Sequence, residues 1–317
     1  MNPMLINILS LIGGLVLLIA GGHYLVKGGS TLALRYKISP MVVGLTVIAF
    51  GTSAPELLVS VQAAFRGSPD LAMGNVVGSN ICNLALVLGI TALISPIMVD
   101  KKTMRIDWPV TFVASLLLFV LVHGGMLSLV EGAVLFAGLI AYLAYQMVDA
   151  KRNPHVPEEV AEVLEQGITG SIFTDLMWIL VGGIGLYFGS DFFVGGAQAI
   201  ALYFEVPERV VGLTVVALGT SLPELVTSVI AARKQQVDLA LGNLLGSNIF
   251  NILCILGITS MIHPIHVQQA FISNDMIWML AITLVVLPMM WLGKKISRVD
   301  GAILLGLYIT YTVLVLV

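Results

Sequence analysis

Charged residues are scarce in this chain. Only 10% of its 317 residues are Asp, Glu, Lys or Arg, while 58% are hydrophobic and the mean hydropathy is +1.01. Soluble domains carry about 25% charged residues, so this composition excludes a soluble globule and predicts a membrane protein. Basic clusters larger than a short loop are also lacking, which argues against nucleic acid as a partner.

Cysteine and nucleotide-binding signatures are lacking as well. The two cysteines, Cys82 and Cys254, lie inside apolar runs, and we expect both to be reduced packing residues. No G-x-x-x-x-G-K-[ST] segment occurs, so nothing in the sequence indicates that ATP powers this chain. We expect no cofactor.

Long apolar runs dominate what is present. A hydrocarbon core of about 30 Å needs roughly 20 apolar residues per helix, and this criterion predicts ten spans. They lie near residues 5–26, 40–64, 71–95, 108–123, 128–148, 171–195, 208–232, 239–263, 274–292 and 301–317. The first run lacks a basic flank, so we interpret it as a retained helix rather than a cleaved signal. A polar linker at 149–170 separates two predicted five-helix halves, 1–148 and 171–317.

The basic residues are distributed unevenly among the loops. All but two of the 15 Lys and Arg residues follow odd-numbered spans, and only Arg66 and Arg209 lie on the opposite side. Cytoplasmic loops carry the excess of basic residues, so the linker at 149–170 is predicted to be cytoplasmic. Both termini would then face the periplasm of a bacterial inner membrane.

The chain contains an internal repeat. A shift of 168 residues aligns 42–97 with 210–265 without a gap, and 34 of the 56 aligned positions are identical. Equivalent helices are five spans apart, and an odd number places the two copies in the membrane with opposite orientation. Many secondary transporters share this plan and bind their substrate where the repeats meet. The predicted fold is an all-α membrane protein: ten transmembrane helices in two inverted five-helix repeats, with helices broken at an ion site.

Each copy contains one acidic residue deep in a span. Glu56 ends the segment Gly-Thr-Ser-Ala-Pro-Glu, and Glu224 ends Gly-Thr-Ser-Leu-Pro-Glu. A charged group at that depth costs at least about 2.5–3.5 kcal/mol unless it is paired, and these spans contain no Lys or Arg to pair with it. Two carboxylates without a protein partner imply a bound cation or a proton.

Neutral oxygens surround each glutamate. The proline before it removes a backbone N–H and should break the helix, freeing carbonyls around Ala49 and Ala217. In the next span, polar side chains four residues apart form a stripe, made of Asn75, Ser79 and Asn83 in one copy and Asn243, Ser247 and Asn251 in the other. We expect Asn75 and Asn243 to join helices and the other four to line a cation. Oxygen ligands of this kind suit calcium or sodium rather than a metal that prefers Cys or His.

The paired G-T-S-x-P-E and G-N-x-x-G-S-N-I-x-N segments resemble the alpha repeats of the calcium:cation antiporter superfamily, and within it the sodium/calcium exchanger branch. The likeness covers all ten predicted spans. It implies that calcium is bound by Glu56, Glu224, Thr52 and Thr220. It also implies sodium sites formed by Ala49, Ser53, Ser79, Asn83, Ala217, Ser221, Ser247 and Asn251.

The resemblance further implies how ions would move. The first and sixth spans would slide as a gate across the other eight, so that the site opens to each side in turn. Some prokaryotic and potassium-dependent relatives carry an aspartate where this chain has Asn251. Because this chain lacks that third carboxylate, the case for potassium co-transport is weaker. The implied partners are calcium and sodium ions and the lipid bilayer, with no obligate protein partner.

Other functions stay open on the sequence. A proton/calcium antiporter could use the same carboxylates, although the chain does not match the motif of the proton-coupled branch. An intramembrane hydrolase is a remote alternative, because Asp191 lies near a span end but has no second aspartate positioned as its partner. Two charged ligands at one site disfavour a passive channel. We therefore predict exchange of calcium against sodium by alternating access, and no enzyme activity.

Overall fold

Helices form nearly all of the regular structure in the computed structural model, which describes residues 3–36, 53–99, 101, 103–152, 170–233 and 237–316. In the first half the α-helices are α1 (Pro3–Arg35), α2 (Ala54–Phe65), α3 (Pro69–Ile81), α4 (Leu88–Ile94), α5 (Trp108–Leu121) and α6 (Leu129–Arg152). In the second half they are α7 (Ile172–Tyr203), α8 (Glu208–Val211), α9 (Ala217–Thr220), α10 (Leu222–Arg233), α11 (Val237–Phe250), α12 (Gly257–Ile262), α13 (Met276–Gly293) and α14 (Arg298–Leu316).

Wider, π-helical turns join several of these helices into longer spans. They are Cys82–Val87, Thr103–Asp107, Gly212–Val216, Asn251–Leu256 and Phe271–Asp275. A 3₁₀ turn, Val122–Gly124, follows α5. Such π turns are rare and occur often at functional sites. Two of them carry Asn83 and Asn251, which are predicted site residues.

The described helices are long and apolar enough for a multi-pass membrane protein. In this part of the chain eight helices could cross a membrane, or nine if the bent pair Glu208–Thr220 and Leu222–Val229 is one span. The spans Pro69–Ile94 and Leu244–Ile262 are each 78% buried, against 17% for the first span, Met4–Leu32. The first span therefore leaves most of its residues at the surface of the described helices, and the two more buried spans carry most of the predicted polar stripe.

Two predicted spans end too early. The first is predicted to end at residue 26, but α1 continues to Arg35. The Lys27 ammonium lies 4.6 Å from the ring centre of Trp178, and Arg35 Nε lies 2.8 Å from Asp175. Basic side chains satisfied in this way need not end a helix. The sixth predicted span, 171–195, corresponds to α7, which runs on to Tyr203 because no charged residue interrupts its last turns. The second, 40–64, is described only from residue 53 onward.

Helices α1 and α7 lie against each other along much of their length. Gly14 adjoins Gly189 and Gly21 adjoins Gly182, so the two helices run antiparallel. A Cβ atom on Gly14 would lie 2.5 Å from the backbone nitrogen of Phe193, closer than a side chain can approach. Small residues permit such backbone contact between membrane helices. Because α1 and α7 are equivalent under the 168-residue shift, two equivalent helices have opposite directions.

Two short antiparallel strand pairs connect the halves. β1 (Ile97–Met98) pairs with β4 (Lys295–Ile296), and β2 (Met126–Leu127) pairs with β3 (Ile265–His266). Ile97 lies opposite Ile296, and Leu127 lies opposite Ile265. Each pair therefore ties a loop of one half to a loop of the other.

Candidate cation site

The two buried glutamates occupy equivalent helix starts. Glu56 lies in the first turn of α2 and Glu224 in the first turn of α10, each directly after a proline. Proline is tolerated there because the first N–H groups of a helix have no helical partner. In the second half the helix axis bends by 41° where α9 gives way to α10, which confirms the predicted break. A helix start also favours a negative charge through the helix dipole.

Both glutamate carboxylates are enclosed by protein and have no partner among the described residues. Glu56 is 0% exposed and Glu224 2% exposed. None of their four carboxylate oxygens accepts a hydrogen bond in the described structure. The charge on Glu224 also repels a charge on Glu56. Burying two unpaired negative charges is strongly unfavourable, so the arrangement calls for a positive charge between or beside them.

Three aspartates in the membrane-spanning helices contrast with these glutamates, because each is held by an arginine. The pairs are Arg35–Asp175, Arg66–Asp191 and Arg209–Asp275. Within the described residues no Lys or Arg forms an ion pair with Glu56 or Glu224. A fixed cation therefore neutralises each of those aspartates, whereas the glutamates are left for a mobile cation or a proton.

Three uncharged oxygens near the glutamates also lack a partner within the described ranges. They are Oδ1 of Asn83, Oδ1 of Asn251 and Oγ of Ser221. The π turn with Asn83 packs against α10, and the π turn with Asn251 packs against α2. Each of these π turns thus adjoins the helix that bears the glutamate of the other half. Ser247 lies close to Glu224 but outside hydrogen-bond geometry.

Hydroxyl groups connect the two halves beside the carboxylates. Ser79 Oγ lies 3.4 Å from Thr220 Oγ1 and 3.5 Å from the carbonyl oxygen of Ala217. Thr220 donates a hydrogen bond of 2.9 Å to Oδ1 of Asn75. The amide of Asn75 donates in turn to the backbone carbonyl of Glu56 at 3.2 Å. The structure therefore brings Ser79, Thr220 and Ala217 together, and it confirms that Asn75 joins helices.

The expected release of the Ala217 carbonyl is wrong. That carbonyl accepts the backbone N–H of Ser221 at 3.0 Å. The physical reason is that Pro223 removes only the hydrogen bond that would reach Gly219, so the helical turn at Ala217 stays closed. Ala217 can still offer its second lone pair, as its contact with Ser79 indicates.

Part of the predicted ligand set lies outside the described residues. These residues are Ala49 and Thr52. The side chain of Asn243, which is predicted to join helices rather than to bind a cation, also lies outside the described part. Ser53 is described and is 2% exposed, in the turn that leads into α2. Its role as a ligand stays a prediction.

Cys82 is a neighbour of the site that the sequence did not reveal. Its thiol is free and buried, it lies beside Ser221 and Tyr308, and both glutamates act on it electrostatically. The repeat gave no signal, because the equivalent position holds Phe250. Cys254 is free as well, so neither cysteine forms a disulfide, as predicted.

Asp191 is engaged by two side chains from the end of α2. It accepts hydrogen bonds from Arg66 and from Nε2 of Gln62, the latter at 3.0 Å. An aspartate held in this way has a structural explanation, which counts against its use by an intramembrane hydrolase. The contact joins α7 to α2.

The fold and the site together define a class of protein. Among the described residues no three His, Cys, Asp or Glu side chains gather as a metal cluster, so a cation here would meet two carboxylates and neutral oxygens. Ionisable residues inside a membrane mark ion pathways, and they face the interior of the helix bundle. A multi-pass helical protein that encloses two carboxylates, without a fixed cation beside them in the described residues, has the features of an ion transporter.

Comparison with known proteins places the chain within that class. The family model described as sodium/calcium exchanger protein matches residues 6–148 and 174–317. The inner membrane protein YrbG of Escherichia coli is 33% identical, over 97% of this chain and 96% of its own length. The sodium/calcium exchanger MaX1 of Methanosarcina acetivorans is 32% identical, over 97% and 98% respectively. A solved structure of the sodium-calcium exchanger NCX_Mj, soaked with Na⁺ and Sr²⁺, matches with a TM-score of 0.66 and 33% identity, covering 97% of this chain and 98% of that one.

The chain therefore belongs to the sodium/calcium exchanger family. Its relatives are antiporters rather than enzymes, and this protein is a transporter of the same family.

Proposed function

We propose that this protein exchanges calcium against sodium across the membrane by alternating access. The observation that carries the proposal is the pair of buried glutamates, whose four carboxylate oxygens have no hydrogen-bond partner in the described chain. Two negative charges balance one calcium ion or two sodium ions, so the two ions compete for the same place on electrostatic grounds. The relatives named as sodium/calcium exchangers, MaX1 and NCX_Mj, support the same pair of ions.

The proposed ligands come from both halves of the chain. Calcium would be bound by Glu56, Glu224, Thr52 and Thr220. Sodium would be bound by Ala49, Ser53, Ser79, Asn83, Ala217, Ser221, Ser247 and Asn251. The unpaired oxygens of Asn83, Asn251 and Ser221 support this assignment. So does the contact of Ser79 with Thr220 across the two halves.

The proposed architecture has ten transmembrane helices in two inverted repeats, 1–148 and 171–317, joined by a cytoplasmic linker at 149–170. The antiparallel contact between the equivalent helices α1 and α7 supports the inversion. The uneven distribution of basic residues supports periplasmic termini. The name of YrbG as an inner membrane protein supports the same membrane for this chain.

The gate in this proposal is the helix pair α1 and α7. Their backbones touch at Gly14, Gly21, Gly182 and Gly189, which favours movement of the pair as one unit. Within the described residues, α1 and α7 pack more extensively against each other than against the remaining helices. Sliding of this unit along α2 and the two more buried spans would open the carboxylates to one side of the membrane at a time. Sodium returning down its gradient would then drive calcium in the opposite direction.

Transport into proteoliposomes tests the proposal. Vesicles loaded with sodium are diluted into sodium-free buffer that contains radioactive calcium, with pH and membrane potential clamped. We expect the outward sodium gradient to drive calcium uptake, and Glu56→Gln or Glu224→Gln to abolish it. Glu131→Gln is the matched control, because Glu131 interacts with Ser128 at the start of α6 and should not affect exchange. Uptake that ignored sodium in this assay, and that followed an imposed pH gradient in a parallel assay without the pH clamp, would contradict sodium coupling and favour a proton/calcium antiporter.

A further inference from the structure

Two asparagines beside the predicted ligands make hydrogen bonds of their own. Asn80 and Asn248 each follow a predicted ligand serine in the chain, and each is 1% exposed. They are equivalent under the 168-residue shift. Neither is among the predicted ligands, yet both contact the asparagines that are, Asn83 and Asn251.

The first chain of hydrogen bonds fixes the amide of Asn83. The Nδ2 group of Asn248 donates to the backbone carbonyl of Asn80 at 3.1 Å. A carbonyl oxygen can only accept, so this contact sets which end of the Asn248 amide is which. Its Oδ1 then accepts from Nδ2 of Asn83 at 3.0 Å. The remaining end of Asn83 is Oδ1, which has no partner among the described groups.

The second chain fixes the amide of Asn251 in the same sense. The Nδ2 group of Asn80 lies 3.7 Å from the sulfur of Met279, to which it donates. A thioether can accept but not donate, so Oδ1 of Asn80 is the end left to face Asn251. It accepts from Nδ2 of Asn251 at 3.4 Å. Again the remaining end is an oxygen, Oδ1 of Asn251, with no hydrogen bond in the part of the chain that the structure describes.

We propose that Asn80 and Asn248 are positioning residues, which turn the oxygens of Asn83 and Asn251 toward the transported cation. An amide has an oxygen end and an NH₂ end of similar shape, and only the oxygen can bind a cation. Each of these two chains of hydrogen bonds, here called relays, begins at a group that can only accept a hydrogen bond. Turning the amide of Asn83 or Asn251 end for end would therefore place two oxygens against each other. Glu56 and Glu224 need no positioning residue of this kind, because both terminal atoms of a carboxylate are oxygens. This inference rests on the proposed function.

Replacing a positioning residue should weaken cation binding without removing a ligand. Loss of a partner that orients a metal ligand typically reduces affinity by about 10- to 100-fold. We expect a loss in this range for calcium with Asn248→Ala, which releases Asn83, and with Asn80→Ala, which releases Asn251. Thr91→Val is the matched control: its buried hydroxyl donates to the Val87 carbonyl at 2.7 Å, and it forms no part of either relay.

A second substitution separates positioning from a merely structural role. In an Asn83→Asp background the ligand offers an oxygen in either orientation, so Asn248→Ala should cause no further loss of calcium affinity. The same holds for Asn80→Ala in an Asn251→Asp background. Equilibrium binding of radioactive calcium to the purified full-length protein measures all six variants, wild type and the control.

The outcomes are distinct. Wild-type affinity in Asn248→Ala and Asn80→Ala would overturn the inference, as would an equal loss in the Asp backgrounds. Absence of calcium binding to the wild type would instead overturn the proposed function. Should Asn248→Ala not yield folded protein, Asn80→Ala alone and in the Asn251→Asp background tests the inference, because the two hydrogen bonds of the Asn80 side chain are longer, at 3.7 and 3.4 Å, than the 3.0 and 3.1 Å of Asn248.

Discussion

Arg209 and Asp275 form a buried ion pair, with Nε of the guanidinium 2.8 Å from Oδ2 of the carboxylate. A second guanidinium nitrogen lies 3.2 Å from Oδ1, and the hydroxyl of Tyr311 donates to the same oxygen at 3.3 Å. Asp275 is 0% exposed. The protein thus provides fixed partners for the buried carboxylate of Asp275. In the described residues it provides none for the carboxylates of Glu56 and Glu224.

Removing the arginine of this pair should destabilise the fold. Arg209→Met leaves the charge of Asp275 buried without its partner, and we expect the free energy of unfolding to fall by about 3–5 kcal/mol. Denaturant unfolding in detergent measures it. The double variant Arg209→Met, Asp275→Leu removes both charges and should recover most of the loss. Equal destabilisation of the single and double variants would contradict an electrostatic origin.

The glycine contact between α1 and α7 predicts a sharp difference between neighbouring residues. A Cβ atom on Gly14 would meet the Phe193 backbone at 2.5 Å, whereas a Cβ atom on Gly13 would meet nothing within 4 Å in the described structure. Gly14→Ala should lower the free energy of unfolding by about 1–3 kcal/mol through overpacking. Gly13→Ala should leave it unchanged or raise it, since alanine favours a helix over glycine by about 0.5–1 kcal/mol.

Thermal unfolding of the two variants in detergent measures this difference. In α7 the same comparison can be made with Gly182→Ala and Gly183→Ala, because only the first would place a Cβ against a backbone, 2.6 Å from the nitrogen of Leu25. Similar midpoints for Gly13→Ala and Gly14→Ala would show that the backbones are not in close contact.

A cross-link between α2 and α7 should stop exchange if α7 slides. Gln62 Nε2 and Asp191 Oδ1 lie 3.0 Å apart, so cysteines at these positions can be joined by a short reducible reagent, with Cys82 and Cys254 replaced by alanine. We expect sodium-driven calcium uptake to stop and to return on reduction.

The matched control joins the two helices that should move together. The rings of Tyr24 in α1 and Trp178 in α7 are stacked with centroids 4.8 Å apart. Cysteines at these two positions, bridged by the same reagent, should leave exchange intact. Continued exchange with positions 62 and 191 bridged would rule out sliding of α7 along α2.

The repeat made the centre of the site predictable from sequence. A carboxylate in an apolar span has few ways to be satisfied, so Glu56 and Glu224 could be singled out without coordinates. Neither carboxylate accepts a hydrogen bond in the part of the chain that the structure describes. The length of α1 could not be predicted in the same way. Hydropathy predicts that the span ends just before Lys27. In the folded chain the Lys27 ammonium lies over the ring of Trp178, and this contact joins residues that are far apart in the sequence.

The orientation of the Asn83 and Asn251 amides could not be predicted from the sequence either, for a different reason. An asparagine side chain ends in an oxygen and a nitrogen in equivalent positions. For Asn83 and Asn251, contacts in the folded chain determine which of the two atoms is left without a hydrogen bond. For Asn83 the decision comes from the backbone carbonyl of Asn80 through Asn248. Side chains identical in the two copies predicted where the asparagines would gather, but not which end each would present.

Direct calcium binding to the purified protein tests the central claim. If a mobile cation offsets the two buried glutamates, the wild type should bind a single calcium ion that sodium displaces. Glu56→Gln and Glu224→Gln should each abolish that binding, while their stability in calcium-free buffer should be no lower than that of the wild type, since each removes an unpaired buried charge. Calcium bound to both variants with unchanged affinity would contradict the account.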